Sequence, residues 1–169
     1  MIAKAGDNMQ KVMIIGCPGA GKSTFARELR EKTGLPLFYL DMIWHKEDRT
    51  ETGQEEFDLK LDEILRSDKW IIDGNYRRTL EPRLRACDTV FFLDFPFEVC
   101  ISGVRQRMGK PREDMPWIED SEDEEFMEFI KTFKKNESPR IYDLLADYDN
   151  KNIIIFRTRE EIKEYLQGL

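Results

Sequence analysis

Five short apolar runs, each followed by a turn or a segment with helical spacing, limit the folds open to this chain. They occupy residues 12–15, 37–40, 70–72, 89–93 and 153–156. None of them alternates between apolar and polar residues, so we expect both faces of each strand to be buried, as in parallel sheets covered by helices. The pattern predicts a three-layer α/β fold in which helices cover both faces of a five-stranded parallel sheet.

The chain length of 169 residues suits one domain with one hydrophobic core. We predict a single domain over residues 1–169, with residues 1–8 as a flexible leader. Thr52 with Glu55, and Thr158 with Glu161, predict capping boxes at the starts of two helices. Residues 41–53 are expected to form a loop.

A glycine or a charged residue follows each of the five runs. These residues are Gly16, Asp41, Asp73, Asp94 and Arg157. The carboxyl ends of parallel strands meet at one edge of a sheet, and ligands bind in the crevice outside that edge. We therefore predict that the functional site lies there.

A glycine-rich segment follows the first run. Residues 16–23 are Gly-Cys-Pro-Gly-Ala-Gly-Lys-Ser and fit the pattern G-x-x-x-x-G-K-[ST], between a strand and a helix. Glycines let successive backbone N–H groups surround a phosphate, and the helix beginning near Lys22 adds its positive end. The pattern favours a site for ATP and Mg²⁺ over an ordinary turn with a solvent-exposed lysine. The predicted nucleotide-binding residues are Gly16, Pro18, Gly19, Ala20, Gly21, Lys22, Ser23 and Thr24.

Within this segment, each polar side chain has a predicted contact. Lys22 bridges the β- and γ-phosphates, the Ser23 hydroxyl reaches the magnesium ion, and Thr24 lies near the α-phosphate.

The charge balance limits the partners that we expect. The net charge is -7 and the pI is about 5.0, which gives no general attraction to DNA or to acidic lipids. No apolar run approaches the roughly 18 residues of a membrane span. Three cysteines without a CxxC pair, and a single histidine, exclude the common zinc sites. Without a secretory signal, we expect a cytoplasmic protein that binds neither nucleic acid nor membrane directly, as a monomer or homodimer.

Two segments resemble the adenylate-kinase-like superfamily of P-loop kinases. Residues 16–24 are similar to its loop G-x-P-G-A-G-K-[GS]-T, and residues 70–79, Trp-Ile-Ile-Asp-Gly-Asn-Tyr-Arg-Arg-Thr, are similar to its strand-Asp-Gly-x-x-Arg segment. Within that superfamily the chain most resembles the bacterial topology modulation protein family. That resemblance is carried by residues 39–41, 69–76, 92–96 and 140–142.

The resemblance implies a P-loop NTPase fold with strand order 2-3-1-4-5 and a short lid, residues 109–121. The third strand then lies beside the P-loop strand, so Asp73 would hold magnesium-bound water together with Ser23. Asp94 also ends an apolar strand and stays the alternative. The lid lacks a cysteine quartet and is expected to be free of zinc.

The resemblance also implies roles for several charged residues. Arg77 corresponds to the arginine that grips the acceptor, with Arg78 as a substitute and Arg140 reaching in from a later helix. Asp41 would bind an acceptor hydroxyl. Three arginines, in the lid and in the helix that leads into it, would neutralise charge on the transferring phosphoryl group: Arg105, Arg107 and Arg112. The predicted catalytic set is Lys22, Asp73, Arg77 and Arg112.

These implications predict a kinase that transfers the ATP γ-phosphate to a small-molecule acceptor, either a nucleoside, a nucleotide or a similar metabolite. The segment after the second strand lacks the threonine-glycine-aspartate pattern that adenylate kinases use around AMP, so AMP is not the expected acceptor. The alternative is a regulatory ATP-binding protein that affects DNA topology through a partner. A GTPase is disfavoured because no N-K-x-D segment is present.

Overall fold

Five parallel strands form the centre of the molecule in a computed structural model that describes residues 9–169. The predicted leader, residues 1–8, lies outside the described residues. The strands are β1 (Lys11–Gly16), β2 (Leu37–Tyr39), β3 (Trp70–Asp73), β4 (Thr89–Leu93) and β5 (Asn152–Phe156). Their order is β2-β3-β1-β4-β5, and all four neighbouring pairs are parallel. This confirms the predicted sheet and its strand order.

Helices cover both faces of this sheet, which completes the predicted three layers. They are α1 (Lys22–Thr33), α2 (Leu40–Trp44), α3 (Gln54–Arg66), α4 (Leu80–Ala86), α5 (Phe97–Arg107), α6 (Glu124–Asn136), α7 (Ser138–Ala146) and α8 (Arg159–Gln167). A 3-10 turn, Arg77–Thr79, precedes α4. No helix of the described residues is long and apolar enough to cross a membrane.

Aromatic packing fixes α1 against the sheet. The ring of Phe25 lies 4.8 Å from that of Phe91 and 5.5 Å from that of Phe156, both edge to face. Such aromatic pairs contribute about 0.5–1.5 kcal/mol each beyond the burial of their surface. The start of α1, which follows the glycine-rich segment, is therefore held close to the carboxyl ends of β1 and β4.

Two predicted helix starts have different outcomes. The capping box of Thr158 and Glu161 is present at the start of α8. The predicted box of Thr52 and Glu55 is wrong. Gly53, not Thr52, is the residue that precedes α3, and a glycine has no side chain with which to cap the helix. The Thr52 hydroxyl instead donates to the Ile43 carbonyl at 2.6 Å.

The connection after β2 is also more ordered than predicted, because α2 begins at Leu40, the predicted last strand residue, and continues into the expected loop.

The opposite edge of the sheet, at the amino ends of the strands, is closed by polar contacts. The Asp88 carboxylate accepts a hydrogen bond from the Lys11 backbone N–H at 2.7 Å. Lys151, just before β5, donates to the Cys87 carbonyl at 2.7 Å. All three cysteines, Cys17, Cys87 and Cys100, are free thiols and buried.

Candidate functional site

A cavity of about 880 Å³ lies at the carboxyl ends of the strands, where the sequence predicts the site. The glycine-rich loop, the turns after β2 and β3, residues 110–114 of the predicted lid, and α8 all contribute to its wall. Most of the predicted loop residues line the cavity: Gly19, Ala20, Gly21, Lys22, Ser23 and Thr24.

The loop packs directly on α5 without intervening side chains. A Cβ atom built on Gly19 (φ 82°) would lie 2.0 Å from the Cys100 carbonyl oxygen. A Cβ on Gly103 of α5 would lie 2.0 Å from the Gly19 carbonyl oxygen. Gly16 is also constrained, because its Cβ would lie 2.5 Å from the Leu93 carbonyl oxygen. The shape of the loop therefore depends on glycine in both elements.

The amino end of α1 opens on this cavity. Gly21 precedes the helix in a left-handed conformation (φ 98°), and no side chain caps the first turn. The first N–H groups of a helix have no partner within the helix and attract anions. The Lys22 ammonium folds back over the loop and donates to the carbonyls of Gly16 (3.0 Å) and Cys17 (3.2 Å). The arrangement has the donors and the charge that a phosphate group needs.

Asp73, at the end of β3, is the buried carboxylate of the cavity wall. Asp73 is only 7% exposed, and its Oδ1 atom has no hydrogen-bond partner among the described residues. The pKa of Asp73 is raised to about 7, chiefly by burial; the charges of Asp41 and Asp114 contribute to the rise, whereas those of Lys22 and Arg83 oppose it. Ser23 lines the same cavity as Asp73, and a hydroxyl and an unpartnered carboxylate oxygen fit Mg²⁺, which prefers oxygen ligands and keeps several waters.

Asp94, the alternative acid, is occupied by structural contacts. Its carboxylate accepts hydrogen bonds from the hydroxyls of Ser138 (3.2 Å) and Tyr142 (2.7 Å) and lies 3.5 Å from the Lys134 ammonium. It is not among the residues that line the cavity. Asp94 thus joins β4 to α6 and α7, and of the two candidate acids Asp73 is the one that lines the cavity.

The turn after β3 is fixed to the glycine-rich loop by Asn75. The Gly16 N–H donates to Asn75 Oδ1 at 3.0 Å, and Asn75 Nδ2 donates to the Gly16 carbonyl at 2.8 Å. The two residues are 59 positions apart in sequence. The sequence interpretation gave Asn75 no role, because a contact over this distance has no local pattern.

Arg83 supports the same turn from within the core. Its guanidinium is fully buried and donates to the carbonyls of Gly74 (2.7 Å), Thr79 (3.1 Å) and Asn75. Burial lowers its pKa to about 9, and Asp73 partly opposes that effect. Sequence reasoning missed Arg83, since an arginine within a short helix usually lies on the surface.

The turn also reaches Asp41. The Tyr76 hydroxyl donates to Asp41 Oδ1 at 2.7 Å, and both residues line the cavity. Asp41 lies in the first turn of α2, and the Tyr76 ring packs against Trp44 and Phe57. Asp41, the carboxylate that was predicted to bind the acceptor molecule, is therefore held in a defined position by Tyr76, a residue to which the sequence interpretation gave no role.

Two of the lid arginines lie at the cavity, and both contact carboxylates. Arg107 lies 3.2 Å from Glu119, and Arg112 lies 3.3 Å from Glu119 and 3.4 Å from Asp114. Burial, followed by the charge of Arg112, lowers the pKa of Arg107. Asp114 is 6% exposed, and its Oδ1 atom has no hydrogen-bond partner among residues 9–169.

The lid is fixed to the rest of the site through Glu113. This carboxylate accepts hydrogen bonds from Arg30 of α1 (3.0 Å) and from the Tyr39 hydroxyl at the end of β2 (2.8 Å). The Gly109 N–H donates to the Glu119 carbonyl at 2.6 Å, which draws the two ends of the lid together.

The structure places four of the predicted arginines outside the cavity wall, on exposed surface: Arg77, Arg78, Arg105 and Arg140. Arg78 pairs with Asp58 (2.6 Å), Arg105 with Glu122 (2.8 Å), and Arg140 with Glu137 (3.5 Å). Gly16 and Pro18 are also not among the residues that line the cavity. The roles of these residues stay predictions.

Comparison with known proteins finds kinases that are similar to this chain. No protein-family model matches the chain. Over 88 residues, which are 51% of this chain, the sequence is 31% identical to adenylate kinases of Thermotoga neapolitana and Thermotoga petrophila. The matched part spans only 39% of the length of those relatives.

A solved shikimate kinase from Bacteroides thetaiotaomicron has a similar structure, with a TM-score of 0.59. The match covers 94% of this chain and 95% of that chain at 20% sequence identity. Similarity at this level of identity shows the fold. The chain therefore has the P-loop fold that this shikimate kinase has, and it is similar in sequence to adenylate kinases over half of its length.

Proposed function

We propose that the protein is an ATP- and Mg²⁺-dependent kinase that transfers the γ-phosphate to a small acceptor, which is a nucleoside, a nucleotide or a similar metabolite. One observation carries the proposal. A single cavity joins the amino end of α1 with Lys22, the unpartnered carboxylate of Asp73, and the Asp41–Tyr76 pair. These groups suit a phosphate chain, a metal and an acceptor side by side.

Each group of residues has a proposed role that follows from its chemistry. The backbone N–H groups of the loop and the Lys22 ammonium bind the β- and γ-phosphates. Ser23 and Asp73 hold Mg²⁺, which neutralises charge on the phosphates when it is bound. Asp41, positioned by Tyr76, accepts a hydrogen bond from the acceptor. Arg107 and Arg112 place positive charge near the phosphoryl group, since such transfer depends on positioning and electrostatics.

A coupled assay of ADP release over an acceptor panel tests the proposal. We expect at least one acceptor to stimulate ADP release, and Lys22→Ala to lower that rate roughly 10²- to 10³-fold, as the loss of one preorganised charge does. Lys32→Ala removes an exposed charge from the other end of the same helix and is expected to keep the wild-type rate. ATP binding without any stimulating acceptor would contradict the kinase and favour the regulatory alternative.

A further inference from the structure

Arg27 is a cation of the cavity wall that has no carboxylate partner. It belongs to α1, lies one turn after Ser23, and is half-buried. Its guanidinium donates to the Thr24 hydroxyl at 3.2 Å and also contacts the Tyr39 hydroxyl. It forms no ion pair with any residue of the range 9–169. Because a guanidinium has five N–H donors, Arg27 keeps both its charge and several donors for a ligand.

A lid carboxylate lies near Arg27 but is held by other groups. Glu113 accepts hydrogen bonds from Arg30 at 3.0 Å and from the Tyr39 hydroxyl at 2.8 Å. These two hydrogen bonds are the main causes of its lowered pKa, and the charge of Arg27 has a smaller effect. Glu113 therefore shows that a carboxylate fits at this end of β2, and it leaves Arg27 without a direct partner.

The order of the strands places Arg27 on the acceptor side of the proposed metal. From the centre of the sheet outward, the strands are β1, β3 and β2. The glycine-rich loop follows β1, Asp73 ends β3, and Asp41 follows β2, so the proposed triphosphate, Mg²⁺ and acceptor hydroxyl lie in this order along the edge. Arg27 contacts Tyr39, the last residue of β2, which is two positions before Asp41.

The lid brings further donors to the same wall. Lys110 lines the cavity and has no carboxylate contact within the part of the chain that the structure describes. Arg107 Nε and Arg112 Nη2 lie 3.2 and 3.3 Å from one oxygen of Glu119. Both nitrogens are buried, yet neither has a hydrogen-bond partner among the described residues. The wall thus has more N–H donors than its own carboxylates occupy.

The carboxylates of this region do not exclude an anion. Asp41 accepts a hydrogen bond from Tyr76, Asp114 lies 3.4 Å from Arg112, and Asp73 is proposed to hold Mg²⁺. An anion that leaves water needs a cation and hydrogen-bond donors to replace its hydration. Arg27 provides both, since its present contacts are with neutral hydroxyls.

We propose that Arg27 binds an anionic group of the acceptor, so that the acceptor is a hydroxyl compound with a carboxylate or a phosphate group. This inference rests on the proposed kinase function and narrows it to one substrate class. The acceptor hydroxyl contacts Asp41, the anionic group pairs with the Arg27 guanidinium, and Lys110 adds positive charge from the lid.

Matched compounds test the preference and distinguish the two anionic groups. Each of three sets has a neutral, a carboxylate and a phosphate member: glycerol, glycerate and glycerol 3-phosphate; glucose, glucuronate and glucose 6-phosphate; adenosine, adenosine 5′-carboxylate and AMP. The full chain is first saturated with Mg²⁺ and a non-hydrolysable ATP analogue, so that the loop is occupied. We expect an anionic member to bind roughly tenfold or more tighter than its neutral partner in at least one set, as measured by calorimetry.

Nuclear magnetic resonance locates the bound anion. The Nε–H signal of Arg27 is identified by its loss in Arg27→Lys, and we expect it to shift with saturation as the preferred anionic member is added. Inorganic phosphate, titrated into the same analogue-bound protein, should shift this signal too. ADP release with ATP in place of the analogue then gives the turnover of each compound.

Three variants separate an acceptor contact from a structural role. Arg27→Met removes the charge, and we expect it to weaken binding of the preferred anion roughly tenfold or more and to raise its KM, while the affinity for the ATP analogue persists. Arg27→Lys keeps the charge with fewer donors and should lose less. Lys32→Met, at an exposed cation in the last turn of the same helix, is the control and should change neither affinity.

The outcomes separate this inference from the kinase proposal. Preference for neutral members, equal binding within every set, no binding of any member, or an Arg27 signal that anions do not shift overturns the inference. Equal losses of analogue and anion affinity in a folded Arg27→Met would place Arg27 in the nucleotide site and also overturn it. If Arg27→Met does not fold, the wild-type ranking and the Arg27 signal decide.

Turnover of neutral acceptors alone overturns the inference while the kinase function stands. Anion binding at Arg27 without turnover of any compound supports the anion site and contradicts the kinase.

Discussion

Arg83 connects the two halves of the site through one backbone turn. Its guanidinium bonds to the carbonyls of Gly74 and Asn75. The side chain of Asn75 holds Gly16 at the start of the loop, and the neighbouring Tyr76 holds Asp41. A buried residue that lies outside the cavity wall thus sets the spacing between the phosphate and acceptor groups.

We expect Arg83→Met to destabilise the protein by about 3 kcal/mol or more, because several buried carbonyls lose their donor at roughly 1–3 kcal/mol each. Arg85→Met is the matched control on the same helix, since Arg85 is exposed and pairs with Glu81 in the preceding turn of α4. Its expected cost is below about 1 kcal/mol. Urea unfolding measures both values, and equal costs for the two variants would contradict a supporting role for Arg83.

Gly103→Ala tests the contact between the loop and α5. The added methyl group would meet the Gly19 carbonyl oxygen at 2.0 Å, so the loop or the helix must move. We expect ATP affinity to fall roughly tenfold or more, because small displacements of positioning groups have large effects. Ser102→Ala, at the exposed neighbouring position, should leave the affinity unchanged. Calorimetric titration with ATP and Mg²⁺ provides the comparison.

At the scale of elements, the lid is held by one carboxylate shared between α1 and β2. Arg30 and Tyr39 lower the pKa of Glu113 through their hydrogen bonds. For a carboxylate with a lowered pKa, the contact is present at neutral pH and is lost as the pH falls through that lowered value. The contact lies on the surface, so its effect on global stability is small.

We expect Glu113→Gln to loosen the lid without unfolding the protein. Amide hydrogen exchange in residues 110–118 should become faster, and a fluorescent ATP analogue should dissociate faster in stopped-flow measurements. Glu122→Gln removes a comparable exposed pair with Arg105 outside the cavity and should change neither rate. Unchanged exchange in Glu113→Gln would mean that the other lid contacts suffice.

The elements were predictable where their causes are local. The five strands and the helix beginning near Lys22 follow from apolar runs and the glycine-rich pattern, and Thr158 with Glu161 has the geometry that its spacing predicts. Thr52 failed as a cap because Gly53 turns the chain and directs the hydroxyl to Ile43. The short helix α2 was missed, since five residues without a side-chain cap carry little pattern of their own.

The site was predictable to the same extent. The loop is one continuous segment, so its residues could be identified from their spacing. The contacts of Asn75 with Gly16 and of Gly103 with Gly19 join segments that are distant in sequence, which spacing does not encode. The directions of Arg77 and Arg78 depend on the turn at Tyr76. This residue has a φ of 37°, and no sequence pattern predicts a positive φ in a residue other than glycine.

At the scale of the whole molecule, we expect nucleotide binding to increase the thermal stability of the folded protein. Binding to the folded state alone adds about 2.7 kcal/mol at a ligand concentration of 100 Kd. For a chain of this size, we expect Mg²⁺-ATP at that concentration to raise Tm by roughly 5–10 °C. Chelation of the metal should reduce the shift, and Lys22→Ala should abolish it while Lys32→Ala retains it. Scanning calorimetry with and without nucleotide gives the values, and a missing shift in the wild type would contradict nucleotide binding.

The polarity of the sheet has a practical consequence for attaching probes. Residues 147–151 precede β5 and therefore lie at the edge opposite the cavity, and Asp149 is exposed there. Because the three native thiols are buried, Asp149→Cys would give a single accessible position for a maleimide dye or a surface tether. A molecule immobilised in this way would present its open cavity to the solution, which suits single-molecule recordings of ligand exchange.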